Sequence, residues 1–157
     1  MLTIFVNGLS FMLTNTDKLG FLTAQFCERT GGAEAVKSFQ TVIDVHARRG
    51  FNITTVHGDN DFGSKKVQEG LPSLFFFCCA AKEHVGQAER PIRTIKERAR
   101  CITHDVPFTI FPRLLTKELI ALTIEQVNSF PSKGSFNDND SPNFHVLGRS
   151  KPDLSLQ

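Results

Sequence analysis

Asp59 and Glu89 are the residues on which chemistry could turn. Asp59 follows Phe51-Asn52-Ile53-Thr54-Thr55-Val56-His57, a β-branched, alternating segment that predicts a strand. Open α/β sheets place ligand-binding groups just past the carboxyl ends of their strands. Glu89 opens the cation-rich segment Arg90-Pro91-Ile92-Arg93-Thr94-Ile95-Lys96-Glu97-Arg98-Ala99-Arg100. In an α-helix Arg93 falls about 40°, Lys96 about −20° and Arg100 about 20° from Glu89, so all four share one face. Ile92, Ile95, Ala99 and Ile102 gather about 60–140° round the same helix and predict its docked face. One helix would then serve both as a core element and as a basic rail carrying a carboxylate at one end. A carboxylate beside phosphate-binding arginines is costly unless a cation neutralises it. Magnesium does so through hard oxygen ligands, and two such ions can activate an attacking oxygen and stabilise the leaving one. Plainer explanations compete. Asn60, Asp61 and Gly63 suit an ordinary turn around Asp59, and an acid at Glu89 suits any helix N-terminus through the macrodipole.

The charge distribution sharpens the first view. Residues 90–100 hold five cations and one acid, +4 in eleven residues, against +2 for the whole chain. Such a cluster on a balanced protein suggests a surface for a polyanion, although most charge runs are solvated helix faces. Other reactive types are less telling. His57 beside Asp59 could be a ligand or a base, but a single histidine at a strand end is more often structural. Cys78-Cys79 and Phe75-Phe76-Phe77 lie in the most apolar stretch of the chain, where core thiols and core rings are the simpler expectation. No CxxC spacing, phosphate-cradling glycine loop or nucleophile elbow is present.

The elements that must position these residues follow from patterning. Asn7-Gly8 between Ile4-Phe5-Val6 and Leu9-Ser10-Phe11-Met12-Leu13 predicts a hairpin, because both residues tolerate the positive φ of a type I′ turn. Gly20 to Cys27 predicts a third strand. Val36, Phe39, Ile43 and His46 or Ala47 recur at helical spacing over 33–49, and Gly50 is a natural stop. A fourth strand is expected over 51–57, and a fifth, buried on both faces, over Ser73 to Ala80. Helices follow over about 86–103 and about 116–128, the latter carrying Leu119, Ile120, Ile124 and Val127 and ended by Pro131. From there to Gln157 the chain is rich in Ser, Asn, Asp and Pro, and a poorly packed polar extension is expected. The order implies an α/β fold: three antiparallel strands then two parallel ones in a mixed sheet flanked by helices, with a right-handed crossover through the first helix. Residues 1–130 form the expected domain and 131–157 the extension.

At 157 residues with 40% hydrophobic and 22% charged content, the chain is long enough for one domain with a real core and excludes disordered and fibrous classes. No apolar run approaches the roughly 20 residues of a membrane-spanning helix. The opening residues lack the basic lead-in of a secretory signal, and four cysteines without metal spacing suit reduced thiols, so an intracellular setting is expected.

Several segments together resemble the catalytic core of retrotransposon integrases. Glu83-His84-Val85-Gly86-Gln87-Ala88-Glu89-Arg90, followed by Ile92-Arg93-Thr94-Ile95-Lys96-Glu97-Arg98, is similar to that group's G-x-x-E-R-x-x-R-T-x-K-E segment. Phe5-Val6-Asn7-Gly8-Leu9-Ser10-Phe11, His57-Gly58-Asp59-Asn60-Asp61-Phe62, Asn128-Ser129-Phe130-Pro131, Ser141-Pro142 and Gly148-Arg149 resemble it in matching order, spanning about residues 2 to 150. The resemblance implies an RNase H-like fold with a five-stranded mixed sheet. It also implies a D…D…E triad that binds two magnesium or manganese ions for 3′-end processing and strand transfer of DNA. Asp59 matches the second aspartate and Glu89 the glutamate, as catalytic and metal-binding residues. Arg90, Arg93, Lys96 and Arg100 become candidate contacts to the DNA backbone, which position DNA without reading sequence. DNA is the implied partner, a homo-oligomer is allowed, and no membrane is involved. Three departures stand out. Leu2 occupies or adjoins the position of the first aspartate, and no Asp or Glu precedes Asp17. The 29 residues between Asp59 and Glu89 are fewer than the family usually has. Pro91 follows Glu89-Arg90 and could re-aim Glu89. Together they point to a degenerate copy with impaired catalysis; the alternative is a non-catalytic nucleic-acid-binding or scaffold domain that uses the basic helix.

Overall fold

A computed structural model describes residues 2–28, 31–58, 62, 64–78, 86–107, 111–131 and 136–148. The chain opens with a meander: β1 (Leu2–Val6), β2 (Leu9–Asn15) and β3 (Leu22–Cys27), antiparallel in the order β1-β2-β3. Asn7 and Gly8 have φ of 49° and 71°, the two positive values that a type I′ turn needs. They set the register Val6↔Leu9 and Ile4↔Phe11. After α1 (Gly32–Ala47) come β4 (Thr55–Gly58), α2 (Lys65–Gly70) and β5 (Phe75–Cys78), with β4 and β5 parallel and Thr55 opposite Phe75. Helices α3 (Gly86–Asp105), α4 (Arg113–Asn128) and α5 (Pro142–Leu147) complete the described elements.

The core has two sides because β2 alternates. Phe11 and Leu13 join Ile4, Leu9 and Leu22 under Ile95 and Ala99 of α3 and Leu119, Ile120 and Ile124 of α4. Met12, pointing the other way, joins Phe39 of α1, Val67 of α2 and Val56 of β4, with Phe76 of β5 packed against the group. Thus α1 and α2 cover one face of the strands, and α3 and α4 the other. Two buried polar groups tie the meander to distant elements. Asn128, at the end of α4, accepts from the Leu22 backbone N–H at 2.9 Å and donates to its carbonyl at 2.8 Å. His46 meets the Val42 carbonyl through Nδ1 (2.8 Å) and the Thr16 hydroxyl through Nε2 (2.9 Å). A carbonyl only accepts, so Nδ1 carries a proton and donates to Val42.

Among the described residues the strands pair as a three-stranded antiparallel sheet followed by a two-stranded parallel one, the expected order of antiparallel then parallel strands. Three other expectations need correction. The fourth strand spans only four residues, with Phe51 to Thr54 outside it, and among the described residues pairs with β5. The apolar run around β5 is not covered on both faces: Phe76 turns inward, whereas Phe75, Phe77 and Cys78 are exposed, so Cys78 is not a core thiol. Cys79 lies outside the described residues. Finally, part of the polar extension packs. The Ser141 side chain accepts from the Phe144 N–H, Pro142 takes the first turn, and Gly148 ends α5 at φ 69°. Val146 is buried against Leu19 and Phe21, which gives this short helix an apolar anchor that composition alone did not show.

Candidate nucleic-acid interface

Helix α3 is continuous through Pro91 from Gly86 to Asp105. Its docked face is the one the spacing predicts: Ile95 and Ala99 are buried, with Ile92 and Ile102 packed partly against the same cluster. Opposite that face the charges meet solvent. Glu89, Arg90, Arg93, Arg98 and Arg100 are exposed, and Lys96, beside the isoleucine row, is half-buried. A long aliphatic stem laid along apolar surface with its ammonium in water accounts for that intermediate burial. Thr94 and Thr103 donate their hydroxyls back to the carbonyls of Arg90 (3.1 Å) and Arg100 (2.7 Å), satisfying these groups within the helix.

Pro91 supplies no N–H to the fourth carbonyl before it, that of Gln87, yet Arg90 remains helical. The re-aiming of Glu89 by a broken helix is therefore not what the backbone does. Glu89 sits in the first turn of α3, where the N-terminal end of the macrodipole favours an acid. Helix α3 packs on α4 and β1, which fixes its basic face relative to the strands.

Asp59 follows Gly58, the last residue of β4, as the sequence predicts, but Asp59 and its neighbour Asp61 lie outside the described residues. Leu2 is the first residue of β1 and pairs with Leu13 of β2. Among the described residues no three His, Cys, Asp or Glu side chains gather as a metal-binding group. His57 is on the exposed side of β4, where its ring stacks on Phe77 with centroids 5.3 Å apart and planes 15° from parallel. The structure thus joins Glu89, Arg90, Arg93, Lys96 and Arg100 on one helix. It also exposes Phe75 and Phe77, which the sequence reading placed in the core. The sequence carries no cue against burial here, since a continuous apolar stretch gives no alternation from which to choose an outer face.

Comparison with known proteins bears on the fold. No protein-family profile and no curated protein matches the chain. Among solved structures, the catalytic core domain of BIV integrase superposes with a TM-score of 0.66 at 14% sequence identity, covering 93% of this chain and 90% of that one. The chain therefore has the fold of a retroviral integrase catalytic core, the RNase H-like architecture that its segments resemble. None of the described helices is long and apolar enough to cross a membrane.

Proposed function

We propose that the chain is a retroelement integrase-core-like domain that binds DNA through the phosphate backbone along α3, with strand-transfer catalysis impaired. The observation that carries this reading is the amphipathic α3: Ile95 and Ala99 locked in the core and Arg90, Arg93 and Arg100 exposed on an integrase-core fold. Cations held on a rigid element bind phosphates of any sequence, because the attraction acts on charge and the released counterions supply the free energy. In this reading β1 and β4 are neighbours in one five-stranded sheet, a view supported by Met12 and Val56 sharing a cluster beneath α1.

The donor set does not fit the two-ion site that the resemblance implies. Leu2 stands at or beside the position of the first carboxylate, and a hydrocarbon cannot coordinate magnesium or manganese. Asp59 and Glu89 alone leave two hard cations short of both charge and geometry.

Duplex binding titrated against salt tests the proposal. Affinity is expected to fall linearly in log–log form, and Arg93→Ala with Lys96→Ala should weaken binding equally for unrelated sequences. Absence of binding at low salt would refute it. Manganese-dependent nicking that Asp59→Asn or Glu89→Gln abolishes would overturn the impairment of catalysis.

A further inference from the structure

The outer face of the β4–β5 ribbon carries two large rings in solvent, Phe75 at 71% and Phe77 at 57% exposure. Thr55 and His57 stand opposite them in register. Contiguous exposed apolar surface is where interaction sites are found. Its direction follows from the alternation of the strands. Val56 and Phe76 point to α1, as does Met12 of β2, whereas Phe11 and Leu13 point to α3 and α4. With β1 and β4 neighbours in one sheet, as proposed above, the row of Thr55, His57, Phe75 and Phe77 faces the side on which α3 lies. Helix α3 packs over β1, and Thr55, His57, Phe75 and Phe77 are all exposed.

We infer that Phe75 and Phe77, with His57 stacked against Phe77, form a platform on which unpaired bases of a DNA strand stack while its phosphates follow the basic face of α3. Alternate residues of a strand stand about 7 Å apart, so the two rings offer separate flat faces. Every base has a π-face, which makes stacking tolerant of sequence, as is the backbone contact that accompanies it. The cations decide between occupants. A second copy of this chain would bring a like-charged helix to the same side, and two four-residue strands supply far less than the roughly 800 Å² per partner of a stable protein interface. The platform rests on the reading of α3 as a phosphate-binding helix.

The test compares an oligothymidine strand with an abasic strand of equal length, which has the same phosphates but no bases, by fluorescence anisotropy of the labelled strands. The expected result is tighter binding of oligothymidine, with Phe75→Ala and Phe77→Ala each costing about five-fold or more and leaving abasic binding unchanged. Both rings are exposed, so folding should survive; Phe75→Leu with Phe77→Leu keeps the apolar area and should still lose the preference. Arg93→Ala with Lys96→Ala should weaken both strands by the same factor. Equal affinity of the wild-type chain for the two strands would sink the platform and leave the α3 reading standing. Absence of binding to either strand at low salt would sink both. A dimer in sedimentation that the paired Phe→Ala change splits into monomers would reassign the surface to self-association and overturn the inference.

Discussion

Asn128 should be one of the most sensitive positions in the chain. Leu22 lies in β3, the edge strand of the meander, opposite Asn15. The neighbouring pair is joined by the Thr16 N–H to Phe21 carbonyl bond at 2.9 Å, so Leu22 turns its own N–H and carbonyl away from β2. Those two groups would otherwise meet water, but Leu22 and Asn128 are only 3% and 2% exposed. The Asn128 amide answers both, acting as a one-residue partner strand. Asn128→Ala orphans a buried donor and a buried acceptor at about 1–3 kcal/mol each, giving a loss of roughly 2–6 kcal/mol. In a domain of this size that lowers Tm by about 5–20 °C. Asn128→Leu restores the volume without the amide and should lose nearly as much, which separates hydrogen bonding from cavity formation. Thermal unfolding followed by circular dichroism measures both. A drop below about 2 °C in both variants would refute the claim that this amide completes the sheet edge.

Further outcomes follow from α3 and the thiols. Arg93→Ala with Lys96→Ala should reduce the slope of log affinity against log salt by about two, one phosphate for each cation; an unchanged slope in a binding titration would remove these residues from the contact. Pro91→Ala restores a donor inside α3 and should stabilise the fold by about 1–3 kcal/mol, seen as a raised denaturant midpoint at constant m-value. Ile95→Ala, at a side chain with no exposure, should cost about 2–5 kcal/mol in the same assay. Burial pushes the Cys27 thiol up, aided by Glu34 and opposed by a hydrogen bond with the Met12 backbone. The unfolded chain therefore loses this proton at lower pH than the folded one. The contribution of Cys27 to stability is full below the unfolded thiol range and is lost as pH rises through the folded value. Alkylation near neutral pH should reach the exposed Cys78 and Cys101 well before Cys27, as read by mass spectrometry of the labelled peptides.

What could be read from the sequence was local. Asn7-Gly8 announced the hairpin because positive φ at two successive residues is a property of those residue types, and the structure adopts it. The two faces of α3 were legible because charge and hydrophobicity follow the helical period there. Residue types do not reveal which neighbour covers which face. Phe75-Phe76-Phe77 reads as core from hydrophobicity, but α3 packs over β1 and leaves two of the three rings in solvent. Asn128 looked like a helix-end polar residue, and its buried role depends on a backbone 106 positions away. For α5 the signal was present: Ser141-Pro142 is a cap followed by a first-turn proline, and Gly148 is a stop. The surrounding polar composition obscured it. Of the candidate site, the place of Glu89 in the first turn of α3 and the ridge beyond it were readable from spacing, while Asp59 lies outside the described residues.

The bond between Leu22 and Asn128 also has a consequence in time. A ribosome adding roughly 5–20 residues per second would deliver Asn128 some 5–20 s after Leu22. Asn7, whose side chain donates to the Phe111 carbonyl and the Thr116 hydroxyl, must wait similarly. During biosynthesis the amino-terminal meander would emerge with a raw edge open to pairing with any neighbouring nascent chain, and the late-arriving α4 ends that vulnerable interval.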